Sequence, residues 1–240
     1  MNADAYLDRI AYRGSRDATL ETLRGLQRAH LLSVPFENLD IHAARPIVLD
    51  AERLFDKIVS RRRGGFCYEL NGVFALLLRD LGFRVTLLSA GVARDTGGFG
   101  PEFDHLALLV ELDGAWLADV GFGESFDPVP FDGSGAGTYR IEPDGEAFVL
   151  FDGTRPRYRF TLQPRLWSDF AGMCHHHQTS PASSFTQGRL ITQGTADGRV
   201  TLTGTRLIVT RGVQREEHSL SDLNEFDLLC GRHFGITREQ

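Results

Sequence analysis

The pattern of apolar residues along the chain changes once, at Gly82, and this change limits the fold more than any other feature of the sequence. Before Gly82, apolar residues recur at a helical period, as they do between Leu20 and Leu32. After it, short runs of valine, leucine, threonine and aromatic residues are separated by Gly and Asp turns. We therefore expect a helical first part followed by an antiparallel sheet or small barrel, which is an α+β architecture.

Three helices are predicted before the change. The first follows Asp17, its candidate N-cap, and is ended by Pro35. The second covers residues 51–59. The third begins at or just before Cys67, carries an apolar stripe along one side, and is ended by Gly82.

Strands and one last helix are predicted for the rest of the chain. Asp113-Gly114 is a strong signal for a hairpin turn between two of the strands. The last helix is expected to start at Ser221, its candidate N-cap, and to run to about Gly231. The predicted strands cover residues 84–89, 105–112, 115–120, 147–151 and 157–162, and then 190–193, 200–203 and 207–210.

Composition excludes several classes of function. The formal net charge is −6 and there is no long basic block, which argues against a nucleic-acid partner. Lys57 is the only lysine, so a Walker A phosphate loop and a polybasic membrane patch are excluded. No apolar stretch is long enough to predict a membrane span. The three cysteines are widely spaced and odd in number, which favours free thiols in a reducing cytoplasm over a disulfide framework.

A cysteine at the start of the third helix is the strongest candidate for chemistry. Cys67 follows Gly64 and Gly65 in RRGGFCYELN and lies at a helix N-terminus, where free N–H groups and the helix dipole favour a thiolate. The thiolate is the nucleophilic form of cysteine, and the same N–H groups can hold an oxyanion. Taken locally, a buried structural cysteine explains the position equally well.

A histidine and a carboxylate that suit such a thiol lie on the predicted hairpin. His105 begins the apolar run HLALLVEL, and Asp119 lies at the end of WLADV. Because Asp113-Gly114 folds these strands together, their outer ends should bring His105 next to Asp119. An imidazole held by a carboxylate is the base that a nucleophilic cysteine requires. The structural alternative is that His105 caps a strand and Asp119 starts a turn.

Two other features carry weaker signals. His175, His176 and His177 are consecutive beside Cys174 and suggest a metal site. Consecutive side chains diverge on a helix or a strand, however, so the three do not easily converge on one ion, and no metal is expected. The glycine-rich loops at residues 97–100 and 121–123 lack the G-x-G-x-x-G pattern and fit tight turns as well as ligand contacts.

Five segments occur in a recognisable order along nearly the whole chain. They are SVPFENLDI (residues 33–41), RRGGFCYELN (62–71), His105 before its apolar run, DVGFG (119–123) and TSPASSF (179–185). Together they resemble the arylamine N-acetyltransferase family. The resemblance implies a papain-like triad of Cys67, His105 and Asp119. It also implies three domains: an N-terminal helical bundle (1–82), a central antiparallel β-barrel (83–185) and a C-terminal α/β lid (186–240).

The resemblance further implies the reaction and its ligands. Acetyl-coenzyme A would acylate Cys67, coenzyme A would leave, and an arylamine, arylhydroxylamine or hydrazine would then attack the thioester. Phe36, Phe122 and Phe185 fall at positions that line the acceptor pocket in relatives, and an aromatic slot suits a flat arylamine. Metal, nucleic acid and membrane have no part in this reaction, and the implied role is cytoplasmic xenobiotic metabolism.

The sequence departs from the family at its C-terminus. It ends at Gln240, whereas typical bacterial members continue for roughly another helix, so a shortened lid is expected and the mode of coenzyme A binding stays open. A more open cleft would suit an amide synthase of ansamycin biosynthesis, from a related branch with the same triad, which closes a macrolactam from a polyketide chain on an acyl carrier protein. The triad is also compatible with a hydrolase or a transglutaminase-like enzyme. A non-catalytic binding protein is the last alternative, and the complete triad argues against it.

Overall fold

The elements before Gly82 are mainly helices and a run of strands begins just after it, as the sequence predicts. The α+β class is confirmed. The computed structural model of the protein describes residues 2–124 and 126–237, and the end of the predicted lid at Gln240 lies outside the described residues. None of the helices in these ranges is long and apolar enough to span a bilayer. The helices are α1 (Ala3–Arg9), α2 (Leu20–Ser33), α3 (Leu39–His42), α4 (Ala51–Phe55, continued by a π-helical turn over Asp56–Ser60), α5 (Cys67–Asp80), α6 (Ala171–Thr179, preceded by a 3₁₀ turn over Trp167–Phe170), α7 (Ser184–Gln187) and α8 (Leu223–Phe234).

Two helix starts differ from the prediction because of local hydrogen bonding. The Thr19 hydroxyl accepts a backbone N–H of the first turn of α2 at 3.3 Å, so the assignment of Asp17 as the N-cap is wrong. Asp17 lies too early in the chain to reach that turn. Asp222, rather than the predicted Ser221, caps α8, because its carboxylate accepts two N–H groups of the first turn.

The middle of the chain forms an antiparallel sheet of seven strands within the described residues, in the order β5–β4–β3–β2–β8–β7–β6. Its edge strands β5 and β6 approach each other, so the sheet is nearly closed into a barrel. The five predicted strands are present. The sequence pattern misses β5, which has only two residues, and β6, which buries only Ile141. The strands are β2 (Arg84–Val92), β3 (His105–Leu112), β4 (Gly114–Ala118), β5 (Val129–Pro130), β6 (Tyr139–Asp144), β7 (Ala147–Asp152) and β8 (Arg155–Phe160).

A second antiparallel sheet joins the N-terminal part of the chain to the C-terminal part. Its first strand, β1 (Phe36–Glu37), pairs with β9 (Leu190–Thr195), and the sheet continues through β10 (Gly198–Thr203), β11 (Arg206–Arg211) and β12 (Gln214–Ser219). The sequence does not predict β12, because all its residues are exposed and polar and show no apolar alternation.

α5 is the central helix of the largest hydrophobic core. It packs between the N-terminal helices and the β2–β3 pair. Its predicted apolar stripe is confirmed as fully buried: Leu70, Val73, Phe74, Leu77 and Leu78. A second cluster fills the barrel, and a third lies between α8 and the second sheet. The domain boundaries at residues 82 and 185 stay a prediction.

Five charged side chains are buried together beneath the start of α5. Lys57 Nζ lies 2.7 Å from both Asp40 Oδ2 and Glu69 Oε1. Arg63 Nη2 lies 2.7 Å from Glu37 Oε1 and 3.1 Å from Asp40 Oδ1. Burial alone lowers the pKa of Lys57, but the surrounding carboxylates outweigh burial and raise that pKa. Burial raises the pKa of Glu69 to about 7. The segments that carry these residues are therefore joined by mutually compensating charges.

Replacing Lys57 with Met should lower the free energy of unfolding by about 3–5 kcal/mol, because the change leaves buried carboxylates without their cation. Denaturant unfolding at neutral pH measures the loss. The control is Arg84→Met, which breaks an exposed pair with Glu111 and should cost less than about 1 kcal/mol. A Lys57→Met variant as stable as this control would show that the cluster does not hold these segments.

Candidate active site

Cys67 is the first residue of α5, where the sequence predicts the helix to start, and two close contacts fix its place. The Glu69 carboxylate accepts the N–H of Phe66 at 3.0 Å, immediately before the helix. A Cβ on Gly64 would overlap the carbonyl oxygen of Pro35, so only glycine lets the two segments approach this closely. The cysteine is 4% exposed and lines a cleft.

The β3–β4 hairpin brings His105 and Asp119 together. His105 begins β3 and Asp119 directly follows β4, and the strands between them pair Leu108 with Ala118. His105 Nε2 lies 2.7 Å from Asp119 Oδ2. The predicted juxtaposition is confirmed, and the catalytic roles of the two residues stay a prediction.

Asp119 is fully buried and accepts four hydrogen bonds from side chains and the following backbone. Its Oδ2 accepts from His105 and from the Tyr158 hydroxyl at 3.0 Å. Its Oδ1 accepts from Asn71 Nδ2 at 2.7 Å and from the N–H of Gly121 at 2.8 Å. These donors fix the plane of the carboxylate. Because His105 Nε2 is engaged with Asp119, its Nδ1 is the ring nitrogen left for a proton transfer.

Asn71 links the cysteine helix to the hairpin. It follows Cys67 by one helical turn and so lies on the same side of α5. Its amide nitrogen also donates to the carbonyl of Leu106 at 2.6 Å, and its oxygen accepts the N–H of Val120 at 2.8 Å. Asn71 was not among the site residues predicted from the sequence, although its spacing from Cys67 within RRGGFCYELN is a signal that could have found it.

Two other partners of Asp119 come from distant parts of the chain. Tyr158 lies on β8, and Gln27 lies on α2, where its Oε1 accepts the Asp119 N–H at 3.2 Å. No spacing pattern connects either residue to Cys67 or His105. The sequence therefore carries no signal that identifies them.

The Cys67 thiol faces the start of β3. A backbone hydrogen bond joins it to Leu106, and a Cβ on Gly121 would come within 2.7 Å of the Cys67 Cα. Burial raises the pKa of the Cys67 thiol well above its usual value, and the Leu106 bond lowers that pKa only in part. Burial therefore opposes the thiolate that the helix terminus is expected to favour. A thiolate at this depth needs the positive charge that His105 gains on taking the proton.

The cleft beside the thiol has a volume of about 400 Å³, and three aromatic residues line it. They are the predicted Phe36, Phe122 and Phe185. The rings of Phe36 and Phe185 lie 6.0 Å apart, and Phe122 meets the His105 ring edge-on at 5.2 Å. This size and lining are typical of a small-molecule pocket. The role of the three rings in binding stays a prediction.

The histidine triplet lies on α6, and its members diverge. His175 and His176 are exposed, whereas His177 lines the cleft. Within residues 2–124 and 126–237, no group of three or more His, Cys, Asp or Glu side chains is arranged to hold a metal ion.

Comparisons with known proteins match the chain over nearly its whole length. A sequence model of the N-acetyltransferase family matches residues 19–240. The arylamine N-acetyltransferase of Mycobacterium tuberculosis is 35% identical over 98% of this chain and 89% of its own. The structure of Mycobacterium marinum arylamine N-acetyltransferase in complex with CoA is 33% identical, with a TM-score of 0.89 over 98% of this chain and 93% of its own. Proansamycin X synthase of Amycolatopsis mediterranei is 30% identical over 96% of each chain.

These similarities, together with the fold, define the class of protein as an acyltransferase. The chain belongs to the arylamine N-acetyltransferase family, since both the family match and the identity to a relative extend over nearly all of it. The family expected from the five sequence segments is confirmed.

We expect iodoacetamide to alkylate Cys67 at about pH 6 roughly 100-fold faster than Cys174 or Cys230. Burial raises the pKa of each of the latter two thiols to about 12, whereas Cys67 lines the cleft together with His105, the imidazole that Asp119 holds. Peptide mass mapping after a short exposure measures the three rates. A His105→Gln variant should lose the advantage of Cys67. Equal rates for the three thiols in the unsubstituted protein would remove the basis for choosing Cys67 as nucleophile.

Proposed function

We propose that the enzyme transfers an acetyl group from acetyl-coenzyme A to arylamines, arylhydroxylamines or hydrazines through an acetyl-Cys67 thioester. The observation that carries this proposal is the 2.7 Å bond between His105 and Asp119 at a cleft that Cys67 also lines. The relative crystallised with CoA supports the choice of donor. We place the reaction in a reducing cytoplasm, where a lone reactive thiol persists, and in the metabolism of xenobiotic amines.

In the first half-reaction, the Cys67 sulfur attacks the acetyl carbonyl while His105 Nδ1 takes the thiol proton. Asp119 keeps the imidazole oriented through Nε2 and stabilises the positive charge that the ring gains. N–H groups at the start of α5 hold the developing oxyanion. The bond between the carbonyl carbon and the sulfur of coenzyme A then breaks, and the departing sulfur takes the proton from His105. The products are acetyl-Cys67 and coenzyme A.

In the second half-reaction, the nitrogen of the amine attacks the carbonyl of acetyl-Cys67. His105 takes a proton from that nitrogen, the carbon–sulfur bond breaks, and the Cys67 sulfur regains the proton. An arylamine nitrogen is weakly basic and therefore remains neutral and nucleophilic near neutral pH. Phe36, Phe122 and Phe185 would hold its flat ring beside the thioester.

A second candidate function uses the same three residues. Proansamycin X synthase is similar over 96% of this chain, which favours considering an amide synthase. In that reaction Cys67 would accept a long polyketide acyl group from an acyl carrier protein. An amine of that polyketide would then attack the thioester and close a macrolactam. The two functions differ in the donor, so acylation of Cys67 by acetyl-coenzyme A separates them.

Incubation with acetyl-coenzyme A and no acceptor should add the mass of one acetyl group to the protein, on Cys67. Intact-mass spectrometry followed by peptide mapping measures the adduct, and adding an arylamine or a hydrazide should remove it. The only lysine, Lys57, is buried, so the signal is not confused with lysine acetylation. The control is Cys67→Ser, which should gain no thioester. An unmodified protein after long incubation would contradict an acetyl donor and favour the amide synthase.

Asp119→Asn should slow the acylation of Cys67 by roughly 10³–10⁴-fold. An amide nitrogen facing His105 donates to Nε2, which moves the ring proton to Nδ1 and leaves no acceptor for the thiol proton. Stopped-flow or quenched acylation measures the rate, and circular dichroism checks the fold. Asp113→Asn, at the exposed turn of the same hairpin, is the matched control and should acylate normally. A folded Asp119→Asn variant with an unchanged rate would make Asp119 purely structural.

A further inference from the structure

His177 is the member of the histidine triplet that enters the cleft. Its Nε2 lies 3.1 Å from Asp104 Oδ1, and its Nδ1 lies 3.0 Å from the Ser183 hydroxyl. Its ring stacks on Tyr68 with centroids 6.1 Å apart and meets Phe185 edge-on at 5.2 Å. Both ring nitrogens are therefore engaged and the ring packs against two aromatic side chains, which is not the environment of a solvated surface histidine.

Asp104, the partner of His177, is the residue immediately before His105. Its second oxygen accepts a backbone N–H of β2 at 3.1 Å. The Tyr68 hydroxyl, on α5, contacts the carbonyl oxygens of Phe103 and Asp104 at 2.7 and 3.1 Å. Phe103 has a φ of +66°, which a non-glycine residue adopts only when its surroundings hold it there. The turn that presents His105 is thus held from β2, α5 and α6.

Asp104 also carries a charge that opposes the chemistry. Burial is the largest effect that raises the pKa of the Cys67 thiol, and the charges of Asp119 and Asp104 raise that pKa further. Burial alone raises the pKa of Asp104, but the hydrogen bonds from His177 and the β2 backbone outweigh burial and lower that pKa. An anionic carboxylate near a sulfur disfavours the thiolate unless a donor compensates its charge.

We propose that His177 is a positioning residue of this active site. By donating from Nε2 to Asp104, it holds the turn that presents His105 and screens the Asp104 charge from the Cys67 sulfur. The inference rests on the proposed function, in which Cys67 is the nucleophile. The reactivity of Cys67 towards an alkylating reagent tests it without any acyl donor.

Several titratable or charged groups surround Cys67 and Asp104, and they come from every element packed there. In the part of the chain that the structure describes, His177 is the side chain that donates a hydrogen bond to the Asp104 carboxylate. The other groups donate no hydrogen bond to that carboxylate in the described residues, and its remaining donor is the β2 backbone. They therefore cannot replace His177. The groups are Tyr68 on α5, Arg94 after β2, His105 on β3, Asp119 after β4, and Cys174, His176 and His177 on α6.

Two substitutions separate the hydrogen bond of His177 from its packing. His177→Phe keeps a ring against Tyr68 and Phe185 but removes the donor, whereas His177→Gln keeps a donor for Asp104 and loses the ring. The measurement is the rate of Cys67 alkylation by iodoacetamide between about pH 5 and pH 8. His177→Phe should slow alkylation near neutral pH roughly tenfold and move the midpoint of the profile up by about one pH unit.

The rescue variants identify the cause. His177→Gln should return the profile to that of the unsubstituted protein. Adding Asp104→Asn to His177→Phe should recover most of the rate, because the uncompensated charge is then gone. His175→Phe and His175→Gln, at an exposed position on the same helix, are matched controls and should leave the profile unchanged.

Two results would overturn the proposal: a His177→Phe profile that superimposes on that of the unsubstituted protein, or a His177→Gln variant as slow as His177→Phe. Melting curves select the folded variants. If His177→Phe does not fold, His177→Leu against His177→Gln makes the same comparison of an apolar side chain with a donor. Failure of acetyl-coenzyme A to acylate Cys67, with the alkylation results as expected, would contradict the proposed function and leave the role of His177 intact.

Discussion

The buried charges around Lys57 are the constraint on which the geometry of the active site depends. Lys57 and Arg63 bind carboxylates of the 37–40 segment and of α5, and each pairing is within hydrogen-bond distance. Loss of one partner leaves another charge buried and uncompensated, which costs several kcal/mol. Glu69 connects this cluster to the chemistry, because its other oxygen caps the N–H of Phe66 beside Cys67. Electrostatics as well as apolar packing therefore set the position of the thiol.

A second constraint joins that helix to the base. Asn71 bonds at once to Asp119, to the strand of His105 and to the loop after Asp119, so the cysteine helix and the hairpin cannot shift independently. Preorganisation of this kind matters more for a buried thiol than for an exposed one. Burial raises the pKa of Cys67, and only an imidazole at a fixed position and in a fixed tautomer can take its proton during attack.

The sequence was sufficient for features that rest on local patterns. The apolar period of α5, the Asp113-Gly114 turn and the meeting of His105 with Asp119 were all predicted, since each depends on a short stretch or on one hairpin. The caps of α2 and α8 were misassigned by one or two residues, because several neighbouring polar residues are candidate caps and only the folded backbone shows which side chain reaches the first-turn N–H groups. Strand β12 has no apolar face to reveal it. The contacts of Tyr158, Gln27 and His177 arise only from tertiary packing between distant segments, which no local pattern encodes.

The placement of Lys57 also bears on the chemistry that this family performs. An enzyme that carries a reactive thioester and transfers acyl groups to amines could also acylate its own amino groups. The chain has a single lysine, and it is buried among carboxylates that raise its pKa and hold the amine in the protonated, non-nucleophilic form. The arginines that supply the other cations carry guanidinium groups, which stay protonated and are not acylated under these conditions. The same ion pairs that fix the cysteine helix therefore also keep the one lysine amine of the chain protonated and unreactive towards the acyl group.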